Sequence, residues 1–268
     1  MGKFDGILLL TDMDGTLLTS ERNISSENLA ALRYFMEQGG RFSVATGRSK
    51  PGMEHFLEYL PINAPAVIYN GAVVYDFEAK CPVWQRPLGE RGLLLNALVQ
   101  AEFPGAGLET YEMDTAYALS DNPISRRHFE AVKMTWKLAE AEEVPQPWVD
   151  MLLLEREEIL PEIKARIEEA FPGQYFLQYS DKEFLEVLHP EANKGSAALA
   201  LCKQLGIKAE NLYTIGDGRN DIQLLTCTPN AYAPANAEPE VLALCPRMLP
   251  HHNDHAIAAL IAELDATR

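Results

Sequence analysis

The run Gly6-Ile7-Leu8-Leu9-Leu10 is apolar from end to end and then breaks into Thr11-Asp12-Met13-Asp14-Gly15-Thr16. An unbroken apolar run reads as a strand covered on both faces, here Ile7–Thr11, and such strands belong to parallel sheets packed between helices. A strand this dry does not end in two carboxylates without a counter-charge, because an unpaired buried carboxylate is very costly. A cation at the strand's end resolves the conflict. Asp12 and Asp14 are hard oxygen ligands of the kind Mg²⁺ takes.

The alternation of strand and helix continues. Ser25 is placed to cap a helix carrying Leu29, Leu32 and Met36, and Gly39-Gly40 stops it. Arg41–Thr46 is a second strand, Pro51 opens the next helix, and Ala66–Tyr69 is a third strand. Asn70-Gly71, flanked by Val67-Ile68-Tyr69 and Ala72-Val73-Val74-Tyr75, predicts a two-residue type I′ hairpin. The last third resumes with a helix from Lys194 to Leu205 ended by Gly206. Strand Asn211–Ile215, helical Ile222–Leu225, strand Ala231–Ala233 and an amphipathic helix Asp254–Leu264 follow. This is the pattern of an α/β chain with a Rossmann-like, doubly wound parallel sheet.

Between Pro82 and His189 the pattern changes. Long helical stretches (Leu93–Glu102, Ser125–Glu143, Ile159–Ala170) stand among strands Trp148–Leu154, Tyr175–Tyr179 and Phe184–Leu188. With 10 basic and 20 acidic residues, this stretch holds most of the chain's net charge of −16. We read it as an inserted α/β domain, 82–189, splitting a core made of 1–81 and 190–268.

That acidity, with a pI near 4.8, argues against nucleic acid or an anionic membrane surface as partner. An anionic substrate must then be captured by local positive groups or a bound cation. No apolar run is long enough to span a bilayer, and the N-terminus lacks the regions of a signal peptide, so a cytoplasmic setting is expected. Cys81, Cys202, Cys227 and Cys245 lie far apart and read as buried or incidental thiols. Nothing in the sequence assigns an oligomeric state.

Four polar signals follow, or lie near, apolar strands of the outer thirds: Asp12-x-Asp14-Gly15-Thr16, Thr46-Gly47-Arg48, Lys194-Gly195 and Gly216-Asp217-Gly218-Arg219-Asn220-Asp221. In an open parallel sheet the ligand crevice lies beyond the carboxyl ends of the strands where strand order switches, so the four are expected to converge. Together they suit phosphoryl transfer, which needs positioning and neutralisation of charge. Asp12 is then a carboxylate nucleophile and Asp217 completes a metal's oxygen shell. The Thr46 hydroxyl, backbone N–H groups and the Lys194 ammonium hold phosphoryl oxygens. Asp14 protonates the leaving alkoxide and later activates water. A cation at a helix N-terminus opposes the macrodipole, so Lys194 points to an anionic neighbour.

These residues, in this order, resemble the haloacid dehalogenase superfamily of phosphatases, and within it the Cof-like (type IIB) sugar-phosphate phosphatases. The likeness covers essentially the whole chain, including Asn70-Gly71 ahead of the insertion and Ala235-Asn236-Ala237 near the end. It implies that Asp12 forms an aspartyl-phosphate and binds Mg²⁺, and that Asp14 is the acid/base and offers the metal its backbone carbonyl. Thr46 and Lys194 are implied to bind phosphate, Asp217 to ligate the metal, and Asp221 to support it through water or neighbouring contacts. Asn220 falls near the phosphoryl group. Gly47 and Arg48 share the Thr46 turn, with Arg48 reaching substrate or supporting its loop. Asn70 serves the hairpin or touches substrate, and the inserted domain selects the substrate. Two positions depart from the family pattern. Arg219 stands where Glu is common, and Pro234-Ala235-Asn236-Ala237 replaces Met-Gly-Asn-Ala, so Asn236 is given less weight.

The expected activity is Mg²⁺-dependent hydrolysis of a small phosphomonoester, a sugar phosphate by the resemblance. The alternatives are a phosphomutase, told apart by formation of an isomeric phosphate, and a non-catalytic protein that senses phosphate or Mg²⁺. His251, His252 and His255 lack His-Glu-x-x-His spacing and read as a loop before the last helix. Arg126-Arg127-His128 reads as a solvated helix face paired with Glu130, and Trp84, Trp136 and Trp148 as core of the insertion. A P-loop motif and Gly-x-Ser-x-Gly are both absent.

Overall fold

The computed structural model describes residues 2–132 and 135–267. The chain forms two compact units. One comprises Met1–Gly47, Phe56–Gln85 and Asn193–Arg268; the other comprises Arg48–His55 and Arg86–Ala192. In chain order the elements are β1 (Leu8–Thr11), α1 (Ser26–Glu37), β2 (Arg41–Val44), α2 (Lys50–Glu54), β3 (Ala66–Ile68), β4 (Val73–Asp76) and β5 (Cys81–Gln85). Then come α3 (Arg91–Glu102), β6 (Gly107–Glu112), β7 (Thr115–Ala118), α4 (Pro123–Val132), β8 (Trp136–Leu138), β9 (Met151–Leu154), α5 (Leu160–Ala170), β10 (Phe176–Asp181) and β11 (Phe184–Leu188). The chain closes with α6 (Lys194–Leu205), β12 (Leu212–Ile215), α7 (Ile222–Thr226), β13 (Asn230–Pro234), α8 (Pro239–Leu244), β14 (Met248–Leu249) and α9 (Ala256–Thr267).

The first unit is built on a parallel sheet in the order β14-β13-β12-β1-β2. β1 lies between β2, its successor in the chain, and β12, so its carboxyl end is the switch point where a crevice opens. Its residues are fully buried, as the unbroken apolar run requires. Ser25 caps α1, its hydroxyl accepting from the Asn28 N–H. β3 joins β2 through a single parallel bridge, Ala45–Val67, then continues into antiparallel β4 and β5. β5 carries this unit to Gln85 and takes Trp84 with it, packed on the Leu8–Leu10 core rather than in the insertion.

The expected type I′ hairpin is replaced by a four-residue connection. Ile68 pairs with Val73, and Tyr69, Asn70 and Gly71 all have positive φ (51°, 49° and 95°). Two contacts override the local preference. The Asn70 N–H donates to the Thr46 carbonyl at 3.1 Å. Gly71 presses so closely on the chain before α6 that a Cβ there would lie 2.1 Å from the Asn193 carbonyl carbon. Only glycine combines that φ with that clearance.

In the second unit the sheet order is β10-β11-β9-β6-β7-β8, antiparallel except for the β7–β8 pair. One face packs Leu108, Met151, Leu153, Leu185 and Val187 against Leu95 and Val99 of α3 and Ile163 and Ile167 of α5. The helix expected over Ser125–Glu143 stops at Val132, and Trp136–Leu138 pairs with β7 instead. A local helical pattern yields there to edge pairing, which suits Thr135 and Trp136; Lys133 and Met134 lie outside the described residues. Arg126 and Arg127 are exposed and pair with Asp121 and Glu183, not with the expected Glu130. Trp148 is buried and Trp136 stacks on Phe129 at 5.0 Å.

The alternate positions of this sheet turn away from the α3–α5 face. Glu109, Leu152 and Glu186 stand in register across β6, β9 and β11, with Asp150 just ahead of β9. All three carboxylates are buried. Glu109 Oε2 accepts from the Tyr111 hydroxyl at 2.7 Å and pairs with His128 Nδ1 at 2.8 Å, while Glu186 accepts from Ser180. Glu109 Oε1 and Asp150 Oδ1 have no hydrogen-bond partner among the described residues. Burial, reinforced by the charges of Glu186 and Glu109, pushes the Asp150 carboxyl well above the usual range. No helix of the described residues is long and apolar enough to cross a membrane.

Candidate active site

Asp12 follows β1 directly. Its N–H donates to the Ile215 carbonyl at 2.8 Å, which carries the β1–β12 pairing past the strand ends and holds Asp12 beside Gly216-Asp217. Lys194 opens α6, whose start is fixed by reciprocal bonds between Asn193 and Ser196. Its side chain is fully buried, with Nζ 2.7 Å from Asp12 Oδ1 and 2.6 Å from Asp221 Oδ1. Asp221 Oδ2 accepts the backbone N–H groups of Asp217 and Gly218 at 3.1 Å each. Both Asp221 oxygens are therefore engaged by the protein, which suits support of a metal from behind rather than direct ligation.

Thr16 donates its hydroxyl to Asp217 Oδ1 at 2.6 Å. Gly15 lets the two loops close: at φ 79° it lies where a Cβ would sit 2.3 Å from Asp217 Oδ2. A side chain at this position would push Asp217 out of the cluster and strain the turn.

Carboxylate oxygens of Asp12, Asp217 and Asp221 lie within 4.8 Å of one another. With Lys194 as the one cation among them, the ionised cluster carries a net charge of −2, which a divalent ion cancels. The hard oxygen set fits Mg²⁺. Asp12 Oδ2 makes no hydrogen bond to the described residues, so it remains available to a metal or a phosphorus atom. The protonation tendencies reflect the same imbalance. Burial raises the Asp12 carboxyl well above its usual range against the opposing pull of Lys194. Burial also lifts Asp217 to about 6, opposed by the Thr16 hydrogen bond. For Lys194 the penalty of burial is outweighed by Asp12 and Asp221, which hold it protonated.

The other expected site residues divide. Asp14 is exposed and its carboxylate stands outside the trio; its expected metal contact is the backbone carbonyl. Thr46 is buried two residues beyond β2, its N–H donating to the Val67 carbonyl and its carbonyl accepting from Asn70. Gly47 lies against the Asn70 side chain, and Asn70 Oδ1 accepts from Asn220 Nδ2 at 3.1 Å. Thr46, Gly47, Asn70 and Asn220 are thus joined in the first unit, whereas Arg48 belongs to the second. Arg219 pairs with Glu238 at 3.1 Å and Glu240 at 3.0 Å.

Asn236 and His252 carry more than the sequence suggested. Asn236 Nδ2 donates to the Gly15 carbonyl at 2.8 Å, and Asn236 Oδ1 accepts the His252 N–H at 2.9 Å. His252 Nδ1 stands 2.7 Å from the Leu18 carbonyl, so that nitrogen carries the proton. His251 Nδ1 accepts from the Asn253 N–H, and His255 meets Ser25. Among the described residues, the histidines join no group able to share an ion. The Ala235-Asn236-Ala237 triplet was the available signal for Asn236; nothing local marked His252.

Residues 9–261 match the family of haloacid dehalogenase-like hydrolases. The chain belongs to this family. It is 27% identical over 265 residues to YxeH of Bacillus subtilis (strain 168), covering 96% of this chain and 97% of that one. It is 25% identical over 238 residues to the HMP-PP phosphatase of Escherichia coli O8 (strain IAI1), covering 88% and 87% of the two chains. Among solved structures, the HAD subclass IIB sugar phosphatase BT4131 matches with a TM-score of 0.84 at 18% identity, covering 97% of this chain and 99% of that one. A haloacid dehalogenase-like hydrolase from Bacteroides thetaiotaomicron matches with a TM-score of 0.83 at 21% identity, over 96% and 99% of the two chains. At such identities these two structures speak for the fold.

Proposed function

We propose that this protein hydrolyses a small phosphomonoester, a sugar phosphate or similar phosphorylated metabolite, through a covalent phosphoryl-Asp12. The observation that carries the reading is the buried Asp12–Lys194–Asp221 network with Asp217 beside it. An excess of two negative charges around a hydrogen-bonded nucleophile has a purpose if a divalent cation and a phosphoryl group meet there. Relatives named for phosphatase activity support the same reaction class.

Asp12 Oδ2 attacks phosphorus while the bond to the leaving oxygen breaks. Asp14 gives its proton to that oxygen, so an alcohol departs rather than an alkoxide. Asp14, now a carboxylate, takes a proton from the water that attacks phosphorus. The bond from phosphorus to Asp12 breaks, and inorganic phosphate leaves with Asp12 restored. Lys194 favours the ionised form of Asp12 against the cost of burial and holds it in place, and Thr46 with its neighbouring N–H groups receives the phosphoryl oxygens. Asp12, Asp217 and the Asp14 carbonyl would hold Mg²⁺, with Asp221 behind them; when bound, it neutralises the carboxylate and phosphoryl charge. Residues 82–189 act in this reading as the domain that selects the substrate.

Phosphate release from a panel of phosphomonoesters tests the reading. Activity is expected with Mg²⁺, lost with EDTA and restored by Mg²⁺. Asp12→Asn is expected to remove turnover while leaving the melting temperature close to that of the parent. Full activity in that variant overturns the reading.

A further inference from the structure

We infer that the turn Pro234–Glu238, acting through Asn236, is a positioning device for the general acid Asp14. The inference rests on the phosphatase reading above. The loop from Asp14 to Ser20 is latched at three places to the carboxyl-terminal segment. Asn236 Nδ2 donates to the Gly15 carbonyl at 2.8 Å. The His252 ring donates to the Leu18 carbonyl at 2.7 Å. Ser20 and Asn253 exchange two bonds, Ser20 N–H to Asn253 Oδ1 and Asn253 Nδ2 to Ser20 Oγ, each 2.9 Å. The first two latches are coupled, since Asn236 Oδ1 accepts the backbone N–H of His252.

The same turn reaches the other acid loop. The Glu238 N–H donates to the Asp217 carbonyl at 2.9 Å, and the Ala237 N–H closes the turn onto Pro234. One short turn thus grips the residue after Asp14 with a side chain and Asp217 with its backbone. Gly15 has positive φ, which glycine adopts without strain, so the chain turns sharply right after Asp14, whose own side chain is exposed. With so permissive a residue next to Asp14, the anchored Gly15 carbonyl, together with the Asp14–Leu18 bridge, restricts how the Asp14 backbone can turn. Asn236 touches no reacting atom in this account; it acts through the backbone of its neighbour.

The role has a signature that general damage lacks. An alkyl phosphate expels an alkoxide that needs a proton, whereas p-nitrophenyl phosphate expels a phenolate that leaves without one. kcat/KM reports steps through loss of the leaving group, so it is measured for both esters on the parent, Asn236→Ala and Asn236→Asp. Asn236→Asp keeps the volume but puts an acceptor opposite the Gly15 carbonyl. The ratio of the two constants within one preparation cancels any loss of folded protein. General-acid assistance is worth about 100–10,000-fold, and a misdirected acid forfeits part of it. We expect the alkyl ester to lose about 10–100-fold and the nitrophenyl ester less than about 3-fold. Adding Asp14→Asn to Asn236→Ala is expected to cause no further change in the ratio beyond Asp14→Asn alone. Equal losses for both esters, or no loss for either, overturn the inference while leaving the phosphatase reading intact. A parent enzyme that releases phosphate from neither ester overturns that reading and the inference with it.

Discussion

Lys194→Met takes the buried ammonium away from Asp12 and Asp221, with Asp217 half-buried beside them, while nearly preserving side-chain length. Lys194 is fully buried and bonded to Asp12 Oδ1 and Asp221 Oδ1 at 2.7 and 2.6 Å. Removing one partner of such a pair strands the other charges, at about 3–5 kcal/mol. For a chain of this size each kcal/mol moves the melting temperature by about 2–4 °C, so the variant should melt about 6–20 °C lower. The measurement is a thermal melt in EDTA at about pH 8, above the value of about 6 to which burial lifts Asp217. Two further arms follow from the cause. Lowering the pH should narrow the gap, because Asp12 and Asp217 take up protons and the stranded charge disappears. Mg²⁺ should narrow it as well, by supplying positive charge. Turnover should fall at least about 100-fold, the scale of losing one preorganised charge at a phosphoryl site. A variant melting within about 2 °C of the parent in EDTA would refute the charge argument.

Gly15→Ala should destabilise the chain by about 1–3 kcal/mol, because it combines a positive φ with a Cβ 2.3 Å from Asp217 Oδ2; unchanged denaturant stability and Mg²⁺ response would contradict the packing described. Asp150→Asn probes the second unit. Burial and the neighbouring Glu186 and Glu109 charges raise the Asp150 pKa in the fold above its unfolded value, so its contribution is present at low pH and is lost as pH rises through the folded value. The variant, which cannot ionise, should melt higher than the parent at about pH 8, with the difference shrinking toward about pH 4; a pH-independent difference would contradict the direction of that shift.

The parts of the fold legible in the sequence were those fixed locally. The Ile7–Leu10 run, the Ser25 cap, the helix opening at Lys194 and the Gly206 stop each follow from patterning or capping chemistry within a few residues. Convergence of Asp12, Lys194 and Asp217 was legible because a parallel sheet brings its strand ends to one edge. Failures came where distant contacts decide. Asn70-Gly71 is a hairpin signal in isolation, but Gly71 is drawn against Asn193, more than a hundred residues on. Ser125–Glu143 has helical spacing, yet Trp136–Leu138 finds an edge strand to pair with. The Asn236–His252 latch and the Glu109–Asp150–Glu186 group were hidden for the same reason. Each is assembled from residues whose local sequence is ordinary and whose meaning depends on the partner across the fold.

The central claim is that Asp12 becomes covalently phosphorylated. Acid quench of the enzyme within one turnover of a phosphomonoester, followed by proteolysis and mass spectrometry, tests it directly. The account predicts one phosphoryl group on the peptide carrying Asp12, absent in Asp12→Asn and, with p-nitrophenyl phosphate, whose leaving group needs no proton, accumulating in a variant whose Asp14 can no longer activate water. Steady release of phosphate with no phosphoryl group on that peptide at any time, in parent or variant, would contradict it.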